Sequence, residues 1–179
     1  EAVFPERKRK PESRRKTGAK KPISIRGLTE GISYTLGQCC HPLPGDRIVG
    51  LMIPGEGAVI HTIDCAELDK AETSMEDWLD VAWGSHAADS GSSVARVALS
   101  VKNAPGSLAA VMTVIANNGG NIFNMKVTSR NPLFFEFTLD LEVRDVAHLQ
   151  NILGALRVSA AVESVDRVRG PQEQETAKA

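Results

Sequence analysis

The chain has 179 residues, 42% of them apolar, and a formal net charge of −1. Such a length buries one or two modest cores, and no apolar run is long enough to span a membrane. Near-neutrality hides a split by position: Glu1 to Lys21 holds nine Lys or Arg and three Glu, a balance of +6, while the rest balances at −7.

Residues 1–22 are rich in Lys, Arg and Pro and poor in apolar side chains, so burial cannot offset their ordering entropy. A disordered basic linker is expected, free to lie on RNA phosphates through counterion release or simply to be solvated. The first residue is Glu rather than Met, which suggests a piece of something longer.

Residues 23–84 read as short strands punctuated by turns. Arg47 to Leu51 and Ala58 to Thr62 flank Pro54-Gly55-Glu56-Gly57, a hairpin connection. A strand rather than a helix follows these glycines, which argues against a phosphate-cradling loop. Between Cys65 and Trp78 the composition turns helical and acidic, and a strand from Trp78 to Trp83 closes the unit. All three cysteines fall here: Cys39 and Cys40 in CCHPLPGDRIVG, and Cys65 with His61 in HTIDC. Thiolates and an imidazole at C-C…H-x3-C spacing could place four ligands around tetrahedral zinc, with Pro42 and Pro44 turning the chain so that the adjacent pair splays. The usual C-x2-C knuckle is missing. Two alternatives stand beside zinc: small buried apolar residues, or a disulfide, which an odd count and the lack of a secretory signal disfavour. A reducing, cytoplasmic compartment is expected.

The small polar stretch 85–93 reads as a flexible linker, with His86 a solvated histidine. From 94 to 170 the periodicity is stronger. Val97, Leu99 and Val101 alternate as a strand, and Asn103-Ala104-Pro105-Gly106 turns the chain into a helix capped by Ser107. Leu108, Val111, Met112, Ile115 and Ala116 form its apolar stripe, which ends at Asn117-Asn118-Gly119-Gly120. Strands Ile122 to Ser129 and Phe134 to Val143 follow, joined through Arg130 to Leu133. Phe135, Phe137, Leu139, Leu141 and Val143 share one face. Val146, Leu149, Ile152, Leu153 and Leu156 mark a second helix, and Val162 to Arg169 a last strand. The βαββαβ order predicts an α+β chain whose second domain is ferredoxin-like, both helices on one face of an antiparallel sheet and the other face needing cover. Residues 171–179 are expected to be a disordered tail. No catalytic constellation emerges: there is no nucleophile elbow, P-loop or HExxH, and the turn explains Cys39 beside His41 with fewer assumptions than a nucleophile and base.

The run from Tyr34 through CCHPLPGDRIVG to HTIDC resembles the conserved-cysteine region of the long Rel/SpoT stringent-response proteins, and NAPGSLAAVMTVIANNGGNI in its βαββαβ setting resembles an ACT domain. The resemblance covers about residues 23 to 169. It implies a zinc-finger-like, ribosome-intersubunit module at 23–84 and an ACT domain at 94–170, the C-terminal regulatory end of a bifunctional (p)ppGpp synthetase/hydrolase. The full-length protein would then be a GTP/GDP pyrophosphokinase and (p)ppGpp 3'-pyrophosphohydrolase, with this segment itself non-catalytic. Cys39, Cys40, His61 and Cys65 match the zinc-finger-like positions; Thr62 stands where the family often has a basic residue, which removes a phosphate contact.

By the same resemblance an amino-acid effector, valine or isoleucine, would lie against Asn103, Ala104, Pro105, Gly106, Ser107 and Leu108, with Gly120, Asn121 and Ile122 beside them. These residues could equally be turn formers. The implied partners are the catalytic domains of the same polypeptide, a second copy through the ACT domain, ribosomal RNA, and a phosphotransferase-system regulatory protein. An allosteric amino-acid sensor, an RNA-docking module and a dimerisation or protein-partner platform are therefore the three functional readings.

Overall fold

In a computed structural model the structure describes residues 23–29, 31–70 and 75–169. The expected basic linker 1–22 and tail 171–179 lie outside them. The first module builds β1 (Ile25–Arg26), β2 (Tyr34–Leu36), β3 (Ile48–Ile53), β4 (Gly57–Thr62), helix α1 (Ala66–Lys70), β5 (Trp78–Leu79) and β6 (Ala82–Trp83). The expected hairpin is β3–β4, with Ile48 opposite Thr62 and Ile53 opposite Gly57. It is the centre of a sheet ordered β2-β4-β3-β5, in which β2 runs parallel to β4. The single strand expected from Trp78 to Trp83 is two strands. β5 pairs with β3 while β6 leaves to pair with β1, and Val81 between them turns into the core. That core is small, with Ile48, Ala58, Ile60 and Val81 at its centre. A module of this size gains much from a cross-link or a neighbouring domain.

The second module contains β7 (Ser93–Lys102), α2 (Ser107–Asn117), β8 (Asn121–Arg130), β9 (Phe134–Val143), α3 (Val146–Arg157) and β10 (Val162–Arg167). The sheet is antiparallel throughout, in the order β10-β7-β9-β8. The expected stripe of α3 is seated: Leu149, Ile152, Leu153 and Leu156 are buried against the alternating Val97, Leu99, Val101, Phe137, Leu139 and Leu141. The stripe of α2 is only half used. Val111 and Ile115 are buried, whereas Leu108 and Ala116 are exposed. Ser107 does not cap α2: the cap position is Gly106 at φ +84°, a left-handed conformation that suits a residue with no Cβ, and Ser107 is the first helical residue. The opposite face of the sheet carries Arg96, Asp140 and Asn124 in one hydrogen-bonded group, so it is polar and needs no apolar cover.

The stretch 85–93 is more structured than its composition suggests. It holds a 3-10 turn, Ala87–Ser90, with Ala87 buried, and its last residue already belongs to β7. The modules also share a core: Leu43, from the cysteine module, is fully buried in the cluster built by β7, β9 and α3.

Candidate functional sites

Cys39 and Cys40 follow a turn at Gly37 that the chain can make only without a side chain. A Cβ there would lie 2.9 Å from His61 Nδ1. The turn is fixed by Gly37 N–H donating to the Ile60 carbonyl (2.8 Å) and His41 N–H to the Gly37 carbonyl (3.0 Å). Opposite, β4 ends by presenting His61, and a turn in which Cys65 N–H bonds to the Thr62 carbonyl (3.1 Å) brings Cys65 back. The four ligand atoms converge within 4.8 Å of one another. Cys39 Sγ is 3.3 Å from His61 Nδ1 and 3.4 Å from Cys65 Sγ, and Cys40 Sγ is 3.8 Å from Cys39 Sγ and 3.7 Å from His61 Nδ1. Four ligands bound at about 2.0–2.3 Å to a tetrahedral ion would stand roughly 3.5–3.8 Å apart. These residues could hold a metal.

The electrostatics fit the same chemistry. Burial and the adjoining thiols push the Cys39 thiol up to about 12, and burial also raises Cys40. Burial lowers His61, keeping its imidazole neutral with a lone pair to offer. A divalent cation would supply the charge that three clustered thiolates need. The Thr62 amide already points at Cys40 Sγ (3.4 Å), the kind of N–H···S contact that supports a bound thiolate. Thr62 therefore contributes through its backbone, which its side-chain type could not reveal. The three cysteines are free, so the disulfide alternative is not what this arrangement forms.

The expected effector residues do not come together within one chain. Asn103 to Leu108 lie beyond the Lys102 end of β7, where Lys102 pairs with Phe134; Gly120, Asn121 and Ile122 lie at the other end, where Asn121 pairs with Glu142. Eight residue steps of strand separate the two levels, about 27 Å. Several of these residues also have structural work. Asn103 donates its backbone N–H to the Leu133 carbonyl (2.8 Å) and its side-chain amide to the Asn131 carbonyl (3.1 Å). Asn121 donates to Glu142 Oε2 (2.8 Å). Gly120 is a packing glycine, since a Cβ would meet Ile152 Cδ1 at 2.8 Å and Ile115 Cγ2 at 3.0 Å. Gly106, by contrast, faces open space.

A cysteine–histidine module is followed by a ferredoxin-like βαββαβ domain. The RelA/SpoT RIS domain model matches residues 23–84, and an ACT domain model matches 90–167. GTP pyrophosphokinase rsh of Brucella ovis is 40% identical over 128 residues, 72% of this chain and 17% of that protein. The bifunctional (p)ppGpp synthase/hydrolase SpoT of Escherichia coli is 29% identical over 147 residues, 82% of this chain and 20% of that protein. The chain belongs to the Rel/SpoT family and carries the RIS and ACT domains of its C-terminal regulatory region. It spans about a fifth of the length of these curated relatives. Among solved structures, the ACT domain from the GTP pyrophosphokinase of Chlorobium tepidum aligns with 41% of this chain and 95% of that one, at 20% identity and a TM-score of 0.37.

Proposed function

We propose that this region senses an amino acid across a pair of ACT domains and relays its occupancy to synthetase and hydrolase domains of the same polypeptide. One observation carries the reading. The two groups of expected effector residues lie at opposite ends of the sheet, and the strand that runs between those levels, β8, is an edge of the sheet. Phe123, Met125 and Val127 on that edge are 67%, 44% and 53% exposed. Antiparallel pairing of β8 with β8 of a second copy covers this row. It also sets Gly120, Asn121 and Ile122 of one copy beside the turn that Asn103 holds in the other. Backbone N–H groups at the start of α2 suit a carboxylate, and Leu108 with Ile122 suits a branched aliphatic side chain, hence valine or isoleucine. An effector held by both copies favours the paired state, which is the differential affinity a relay requires.

The RIS domain, in the same proposal, holds one structural zinc ion through Cys39, Cys40, His61 and Cys65. Zinc suits this soft, closed, four-coordinate donor set. Chemistry is left to the catalytic domains.

The test is sedimentation of the chain with and without valine or isoleucine. Phe123→Lys places a charge on the paired edge and is expected to abolish both dimer and effector binding. A variant that stays monomeric yet binds the amino acid with unchanged affinity would refute the shared site.

A further inference from the structure

The segment Cys39–Asp46 ends in metal ligands on one side and is built into the ACT domain on the other. Three residues after Cys40, Leu43 is fully buried in the ACT core. Pro44 offers its carbonyl to the Val146 N–H at the start of α3 (3.0 Å). Asp46 folds the segment onto itself by accepting from the Leu43 N–H (2.8 Å), and the same carboxylate takes both arms of Arg167 from the end of β10 (2.8 and 2.6 Å). Arg167 also donates to the His41 carbonyl (3.0 Å). The Arg167 and Asp46 side chains are only 7% and 6% exposed, so this is a desolvated, bidentate pair and not a surface contact. Pro42 and Pro44, either side of Leu43, leave the segment little slack, and His41 between ligand and plug is held at φ +45°, unusual for a residue with a Cβ.

The other ligand-bearing segment is gripped from the same place. Arg169, two residues beyond Arg167, donates to the carboxylate of Asp64, the residue next to Cys65, and its second arm lies 3.5 Å from Asp46. The end of β10 thus touches both chain segments that the metal would tie together, Cys39–Asp46 and His61–Cys65. Two arginines need acceptors on two segments at a fixed separation, and a metal bound by both segments would tighten that separation.

We infer that metal held by Cys39, Cys40, His61 and Cys65 seats the ACT domain on the RIS domain, through Leu43, Asp46 and Asp64, so that metal affinity and domain docking are thermodynamically linked. The inference rests on the zinc reading above. Linkage is reciprocal: whatever factor zinc contributes to docking, docking contributes to zinc affinity.

The test uses the whole chain, zinc-loaded and then stripped with a chelator, with metal content measured throughout. Hydrogen exchange of the Val146 amide, whose acceptor lies across the interface, is expected to quicken about tenfold or more on stripping, while the Leu153 amide inside α3 changes little. In the reverse direction, Arg167→Ala and Val146→Pro are each expected to weaken zinc binding roughly fivefold or more in competition with a chelator, and exposed Arg157→Ala to leave it unchanged. Val146→Pro removes the interface donor together with a partly buried side chain that packs on the ACT core. Position 146 is the first of its helix and Asp145 before it is extended, both compatible with proline, so the variant stands in if Arg167→Ala fails to fold. One equivalent of zinc with unaltered Val146 exchange, and variants that bind zinc like the parent, would overturn the coupling alone. A chain that takes up no zinc would overturn the metal reading and the coupling with it.

Discussion

At the scale of single residues, charge and burial decide more than residue type does. Asp140 accepts from Arg96 Nε (2.7 Å) and Nη2 (3.2 Å) and from Asn124 (3.2 Å), and the Arg96 contact first, then Asn124, holds its carboxyl below the usual range against the cost of partial burial. A depressed carboxyl stabilises the fold above its unfolded value, near 4, and that contribution disappears as pH falls through the folded value. Asp140→Asn is therefore expected to cost about 1–2 kcal/mol at pH 7 and to flatten the acid limb of urea stability measured from pH 7 to 3. Equal losses at pH 7 and pH 3 would contradict it. Cys65 tests the proposed metal site. Cys65→Ser is expected to drop zinc from about one equivalent to well below half in protein purified without chelator, because a closed four-ligand site loses its fourth soft donor.

Among the elements, periodicity translated into burial for β9 and α3 but only in part for α2. The alternation of β9 and the stripe of α3 each pointed one face inward, and both faces are buried where the pattern placed them. The stripe of α2 has the same spacing, yet only Val111 and Ile115 are buried and Leu108 stays exposed. Trp78 to Trp83 looked like one strand because its apolar residues are evenly spread, yet Leu79 and Trp83 answer to different partners. Gly120, expected as either a ligand contact or a turn former, has a packing role against Ile152 and Ile115. Gly120→Ala is expected to destabilise the ACT domain by about 1–3 kcal/mol in urea, with or without effector, since the new methyl meets Ile152 and Ile115. A loss confined to effector affinity would restore the ligand role.

For the whole molecule, the cysteine–histidine cluster was legible because its four residues are the chemistry-bearing ones in two short runs. The seam between the domains was not. Arg167 and Asp46 stand 121 residues apart, and PLPG resembles an ordinary turn until Leu43 is seen inside a neighbouring core. The expected effector residues were legible only as two turns; their placement at opposite ends of the sheet follows from strand order. Under the proposals above, metal, domain docking and pairing would each bias the same few arrangements, and attached domains would read their sum. Calorimetric titration of the chain with valine and isoleucine, parent against Phe123→Lys, asks most directly whether the ACT domains sense an amino acid as a pair. Saturable heat in the parent that vanishes in the variant is expected; no heat with either amino acid, or equal binding by both proteins, would contradict it.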